Sequence, residues 1–186
     1  MAKVIFGMTM SLDGFVNDRN GSVEKLYPDL DALRKSAILQ ELIENTGAVV
    51  MGRNAFAMSE DPDWFAGNYE FQVPIFVLTH HPPKKMPKQT DQLTFTFVTD
   101  GIESAIRQAK AAAKAKDVTV IGGASTIRQC LQAQVGDELE VGIMPVLFGS
   151  GLRLFENIGT EEIQLEKIRV DEIPDGGTNL RFRVAR

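Results

Sequence analysis

The chain has 186 residues, of which 44% are hydrophobic and 24% charged, with a net charge of −5 and one cysteine. That length suits a single domain, read here as residues 1–186, with a core large enough to stand without metals or disulfides. The charge gives no support for nucleic-acid binding, the lone cysteine cannot close an internal disulfide, and no run of about 18 apolar residues exists to span a membrane.

Met1 leads straight into Lys3-Val4-Ile5-Phe6 with no signal-peptide layout, so a cytoplasmic location is expected. Lys3 to Met10 reads as a first strand. Ser11-Leu12-Asp13-Gly14-Phe15-Val16 turns it into a loop, which Asn17-Asp18-Arg19-Asn20-Gly21 extends in turn-forming residues. Leu30 to Asn45 is rich in helix formers, and Gly47 stands where a glycine ending a helix is expected. Ala48 to Met51 is the next strand, and Gly52-Arg53-Asn54-Ala55-Phe56 makes a strand-to-helix joint. Pro74 to Leu78 is a third strand, ended by Thr79-His80-His81-Pro82-Pro83; residues 57–73 and 82–92 read as loops. Trp64 reads as an anchor within the first of them.

Leu93, Phe95 and Phe97 alternate with Thr94 and Thr96, as in a half-buried strand closed by Asp100-Gly101. Ile102, Ala105, Ile106, Ala109, Ala112 and Ala113 then line one face of a helix fit to pack closely on a sheet. The chain's central stretch follows: Val118, Val120 and Ile121 have the branched character of a buried strand, and Gly122-Gly123 turn sharply into a helix. Ala124, Ile127 and Leu131 share one side of that helix, with Cys130 beside them as a buried, inert thiol. A helix N-terminus behind bare glycines can receive a phosphate, with Ser125 and Thr126 adding hydroxyls; the same pattern also serves as a plain tight turn.

From there the alternation of strand and helix gives way to strands alone. Leu139, Val141 and Ile143 alternate with Glu138, Glu140 and Gly142, the pattern of an edge or antiparallel strand with one wet face. Pro145 to Phe155 is a glycine-containing loop lined with apolar residues. The phase of Ile163 and Leu165 differs from that of Ile168 and Val170, which places a bulge near Glu166-Lys167. Leu180, Phe182 and Val184 form the last strand, joined to its neighbour through a longer hairpin loop containing Asp175-Gly176-Gly177. The fold class is α/β: a mixed sheet, parallel at first and antiparallel at its C-terminal end, with helices on both faces.

Four stretches, in order, carry a resemblance: Met10-Ser-Leu-Asp-Gly-Phe-Val16, Val49-Val-Met-Gly-Arg53, Val120-Ile-Gly-Gly-Ala124, and Pro145-Val-Leu-Phe-Gly-Ser-Gly151 with Leu154-Phe155. Together they resemble the dihydrofolate-reductase-like fold. The closer resemblance is to the reductase domain of the bifunctional deaminase-reductase of riboflavin synthesis, in its stand-alone bacterial form. It implies an NADPH-dependent oxidoreductase acting on a small heterocycle, nearest in class to 5-amino-6-(5-phosphoribosylamino)uracil. It further implies that Ile121, Gly122, Gly123, Ala124, Ser125 and Thr126 cradle the pyrophosphate and that Gly52, Arg53 and Asn54 add donors beside the adenine-side phosphates. Thr79 and His80 match the strand end near the 2'-phosphate, Thr9 and Val16 the positions flanking the nicotinamide, and Asp13 the candidate catalytic residue beside the substrate. A homodimer through the late strands is expected, with no nucleic-acid or membrane partner.

Two departures stand out. Ala55 lies where relatives commonly carry a threonine hydroxyl, and the acids of the 30–45 helix, Asp31, Glu41 and Glu44, miss the place of the folate enzyme's carboxylate, where Ser36 falls nearest. Folate reduction is therefore disfavoured, and a catalytically silent nucleotide-binding module on the same fold stays open as the alternative. His80-His81 is not read as a metal site, since adjacent histidines point apart and no acidic or thiol partner lies at ligand spacing. No zinc-deaminase signature occurs, so a companion deaminase domain is not expected.

Overall fold

The computed structural model describes residues 2–159 and 161–185. In chain order the elements are β1 (Val4–Ser11), α1 (Leu30–Lys35), α2 (Ala37–Asn45), β2 (Thr46–Gly52), α3 (Arg53–Phe56), α4 (Phe65–Asn68) and β3 (Ile75–Leu78). There follow β4 (Phe95–Val98), α5 (Ile102–Ala113), β5 (Asp117–Ile121), α6 (Ala124–Gln132), β6 (Glu138–Met144), β7 (Leu165–Ile173) and β8 (Gly177–Val184). The strands form one sheet in the order β4-β3-β2-β5-β1-β6-β8-β7. All pairings from β4 to β6 are parallel, and β8 runs antiparallel to both β6 and β7.

Alternation along the parallel strands splits the core in two. Val4, Phe6, Ala48, Val50, Val118 and Val120 face α5 and α6, whose buried residues include Ala105, Ala109, Ile127 and Cys130. Val49, Met51, Ile75 and Val77 face the other way, toward Phe56, Phe65 and the half-buried Leu39, Leu42 and Ile43 of α2. Strands covered on both faces need apolar residues in both phases, which β2 supplies from Ala48 to Met51, while β5 buries Thr119 against the Thr46 hydroxyl. The small residues of α5 let it lie close to the sheet, as their spacing predicts. Cys130 is fully buried, and burial pushes its thiol pKa up to about 12, which leaves it inert at neutral pH. Trp64 is 39% exposed and packs its ring edge against Phe65 and at a tilt to Tyr69.

Several expectations need correction. The helix over 30–45 is broken at Ser36, whose backbone is extended (φ −66°, ψ 142°) and whose hydroxyl accepts from the Leu39 amide to cap α2. Gly47 does not end that helix: it lies inside β2, where a Cβ would come within 2.6 Å of the Ala113 carbonyl at the end of α5. The 57–73 stretch is not all loop, since it holds a 3-10 turn at Pro62–Trp64 and the short α4. Of the two readings of β6, antiparallel or edge, the antiparallel one holds: it lies between β1 and β8 and runs antiparallel to β8. Its would-be wet face is closed by ion pairs: Glu138 accepts from Lys3 at 2.6 Å and from Arg181 at 2.8 Å, and Glu140 from the Asn179 amide at 3.0 Å. Burial disfavours the charge on Glu138, yet Lys3 and Arg181 outweigh it and hold its carboxyl below the usual range. The bulge falls between Lys167 and Arg169, one residue past the expected place, and the β7–β8 hairpin closes over only Pro174–Gly176.

Candidate active site

Two strand-to-helix joints meet at the carboxyl edge of the parallel sheet. β2 and β5 are neighbours, with Met51 opposite Ile121, so Gly52 and Gly122 leave the sheet side by side. The Gly52 amide donates to the Gly122 carbonyl at 2.9 Å. A Cβ on Gly52 would come within 2.5 Å of the Thr126 hydroxyl oxygen, so the glycine is what lets α6 close on β2. Gly122 has φ +41°, a left-handed conformation that side chains rarely adopt, and the Gly122–Gly123 peptide is cis. Gly123 caps α6 with no side-chain help, and a Cβ built on it would meet nothing within 4 Å. The joint therefore presents a bare backbone and a helix N-terminus to open space.

Arg53 follows at the start of α3, exposed, with its side chain in no hydrogen bond or ion pair with a described residue. Asn54 is exposed beside it. Gly52 pairs with Leu78 of β3, which brings Thr79 and His80 to the strand end next to Arg53. Thr79 is buried and spends its hydroxyl on the His81 carbonyl at 3.0 Å, whereas His80 is exposed. Ser125 is exposed, and Thr126 is buried with its oxygen toward Gly52. Ala124 turns inward into the core, while Ile121 packs toward the opposite core cluster. This edge thus gathers most of the sequence-predicted phosphate residues.

The remaining candidates lie elsewhere along the rim. Val16 is 4% exposed and belongs to the core facing α6, so anything it offers a ligand comes from its backbone. Thr9 sits on the other face of β1, against Tyr27. Asp13 is the centre of a clamp between two loops. One of its oxygens accepts from the Ser11 hydroxyl at 2.6 Å and from the Phe148 amide at 3.1 Å, the other from the Gly149 amide at 2.7 Å. The Ser11 hydroxyl first, and then the two amides against a burial penalty, lower its pKa to about 2. A carboxyl so acidic carries no proton to give at neutral pH, and its bonds make Asp13 a positioning residue for the loops.

The clamp extends past Asp13. Leu12 donates to the Val146 carbonyl at 2.9 Å, Val16 to Leu152 at 2.8 Å and Leu154 to Gly14 at 2.9 Å. Gly151, at φ +143°, leaves no room for a Cβ, which would lie 2.0 Å from the Asn17 carbonyl. The Arg153 guanidinium covers the Phe15 ring at 4.4 Å. Arg128 of α6 donates from Nε to the Leu154 carbonyl at 3.1 Å and from Nη2 to Glu156 at 2.9 Å, and also to the Arg153 carbonyl. Two stretches far apart in the chain, 11–16 and 145–154, thus become one rim fastened to the glycine-joint helix. Sequence reading did not single out Arg128, Arg153 or Tyr27; the only signal was an arginine on an otherwise polar helix face and a lone aromatic before Pro28.

Among the described residues, no group of three or more His, Cys, Asp or Glu is placed to hold a metal, and no helix is long and apolar enough to cross a membrane.

Comparison with known proteins adds to this geometry. Residues 2–177 match the family model described as the RibD C-terminal domain. The chain is 24% identical over 184 residues to the uncharacterized Bacillus subtilis (strain 168) protein YyaP, covering 94% of this chain and 90% of that one. A Shewanella sp. PV-4 protein provisionally named for riboflavin biosynthesis superposes with a TM-score of 0.79 at 22% identity, over 99% of both chains. The Thermotoga maritima diaminohydroxyphosphoribosylaminopyrimidine deaminase/5-amino-6-(5-phosphoribosylamino)uracil reductase superposes with a TM-score of 0.65 at 15% identity, over 99% of this chain and 57% of that one.

Proposed function

This chain belongs to the RibD C-terminal domain family, and from that premise we propose that it is a cytoplasmic NADPH-dependent reductase of a small heterocycle, nearest in class to the aminopyrimidine of riboflavin synthesis. The family and fold support the reductase part. The cofactor reading rests on one observation: two glycine joints are bonded to each other, and Gly123 of one of them faces open space beside an arginine whose side chain has no hydrogen bond or ion pair among the described residues.

NADPH, when bound, supplies the hydride. The chain supplies the place for it. Bare backbone at Gly123 admits a pyrophosphate to the α6 N-terminus, whose free amides and partial positive charge favour anions. Arg53 offers a planar fork of donors suited to a phosphate and needs to break no existing bond to reach one. His80, at the adjoining strand end, is placed to flank the same group. The clamp around Asp13 holds the rim of β1 in position, which is an orienting contribution and not a proton transfer. The proton that accompanies hydride then comes from water or a polar group of a loop.

Titration of NADPH and NADH into the protein, followed by nicotinamide absorbance in the presence of aminopyrimidine substrates, tests this reading. Tight NADPH binding with oxidation supports it. Binding without any oxidation favours a silent nucleotide-binding module, for which the full engagement of Asp13 is the supporting observation.

The partner we propose is a second copy of the chain. Of the late-strand residues, Val141 is buried in the core, whereas β7 forms a sheet edge with Leu165, Ile168 and Val170 exposed. An open apolar edge invites strand pairing, and a twofold contact would cover it. A monomer mass in light scattering at micromolar concentration counts against the dimer.

A further inference from the structure

Arg128 lies one turn into α6, the helix that starts at the glycine joint. Its guanidinium donates from Nε to the Leu154 carbonyl at 3.1 Å, and from Nη2 to the Arg153 carbonyl and to Glu156 at 2.9 Å. The two residues so held carry the next link. The Leu154 amide donates to the Gly14 carbonyl at 2.9 Å, and the Arg153 guanidinium to the Asp13 carbonyl at 3.3 Å. Resting on the reductase reading, we infer that Arg128 is a positioning residue, which sets the rim of 11–16 and 145–154 in register with the glycine joint and so governs turnover and not cofactor affinity.

The bonds of Arg128 are spent on geometry. As an ion pair it contributes little, since Glu156 is 40% exposed and water screens such a contact. Its own side chain is 16% exposed, and its remaining donors meet two consecutive main-chain carbonyls, the second from the fully buried Leu154. A planar fork that meets two neighbouring carbonyls fixes the direction as well as the distance of the loop from α6. From there the path runs to the Asp13 carboxylate, which takes the Phe148 and Gly149 amides and closes the rim on itself. Gln132, one turn later on α6, makes a contrasting contact. It donates to the Asn157 carbonyl at 2.7 Å, beyond the residues that bond to 11–16. Arg128 therefore fastens the rim, and Gln132 only the stretch after it. Reaction between groups held on different elements depends on their spacing, and a misplacement of about 1 Å can cost about a hundredfold in rate.

The test uses Arg128→Ala, Arg128→Lys and Gln132→Ala in the intact chain. NADPH affinity is read by titration, turnover by nicotinamide absorbance with an aminopyrimidine substrate, and rim order by hydrogen exchange at the Leu12, Phe148, Gly149 and Leu154 amides. Arg128→Ala leaves two carbonyls unpaired and should melt lower than the parent, so rates are taken well below each melting transition. It should keep NADPH affinity within about twofold, lose about tenfold to a hundredfold in kcat, and speed exchange at the four amides. Arg128→Lys keeps the charge without the fork and should recover part of the rate; it carries the comparison if the alanine variant does not fold. Gln132→Ala should leave rate and rim exchange near those of the parent. A loss of NADPH affinity as large as the loss of rate, unchanged rim exchange, or an equal loss of rate in Gln132→Ala overturns the inference. A parent protein that binds NADPH and oxidises none sinks the reductase reading instead, and the exchange measurement then still decides whether Arg128 holds the rim.

Discussion

Arg53 and Asp13 are both charged residues just past the end of a parallel strand, on the same carboxyl edge, yet they live in opposite circumstances. Asp13 has each oxygen bonded within the protein and a pKa held at about 2. The Arg53 side chain has no hydrogen bond or ion pair among the described residues. Around Asp13 the backbone is so crowded that Gly151 leaves no room for a Cβ; around Gly123 a Cβ would touch nothing. A charge whose partners are all internal is part of the scaffold. A charge left open beside bare backbone can take a ligand without breaking an internal bond, and that difference separates the frame of the rim from the joint proposed to bind.

The sharpest way to break the comparison is at Gly123. Its backbone lies at φ −76°, ψ −173°, which any residue adopts, so Gly123→Val should still fold, melting somewhat below the parent because valine is a poorer N-cap than glycine. The same side chain projects into the space assigned to pyrophosphate. NADPH affinity should fall about a hundredfold, two factors of ten at about 1.4 kcal/mol each. Unchanged titration of the folded variant would mean that the cofactor sits elsewhere.

Arg53→Ala comes next in size. Loss of a charge-assisted contact costs about 1.5 to 3 kcal/mol, and the loss should fall on NADPH far more than on NADH if Arg53 meets the 2'-phosphate. Equal losses would move it to the part shared by both cofactors.

Asp13 should respond in stability first. Its folded pKa of about 2 lies below the ordinary 3.8, so its contribution is complete above pH 3.8 and is lost as pH falls toward 2. Asp13→Asn should melt lower than the parent at neutral pH, with the gap closing through that acid window. A gap that persists at pH 2 would show that the charge is not what the clamp uses. The smallest effect belongs to Arg183–Glu166, a pair at 2.5 Å whose side chains are 57% and 66% exposed. Arg183→Ala should change stability by about 0.2 to 1 kcal/mol at most, since water screens such pairs.

Much of this frame was legible in the chain. The glycine pair between a branched strand and an amphipathic helix marked the strand-to-helix joint proposed for the cofactor, because bare backbone followed by a helix leaves a local signature. The small-residue stripe of α5 did the same for the core. What escaped was set by distance. Gly47 reads as the end of a helix until the Ala113 carbonyl is seen against it, 66 positions later in the chain. Glu138 and Glu140 read as solvated until Lys3, Asn179 and Arg181 close over them. The break at Ser36 had a local cause, a serine capping the helix after it, but the surrounding helix formers masked it. Asp13 reads as a substrate neighbour or a turn residue, and its bonds to residues 148 and 149 could not be read from its neighbours.

The order of the sheet also sets a timetable. β1 is the first strand in the chain, yet its two neighbours are β5, which begins at Asp117, and β6, which ends at Met144. On a ribosome, an apolar segment containing Val4, Ile5 and Phe6 must therefore wait without a strand partner until more than half of the chain has been made. β2 and β3 can pair earlier, but they join β1 only through β5. Contacts of such long sequence separation slow folding and lengthen the exposure of unpaired edges to aggregation. β5 acts as a keystone laid late, and the glycine joint it ends in cannot exist before it arrives.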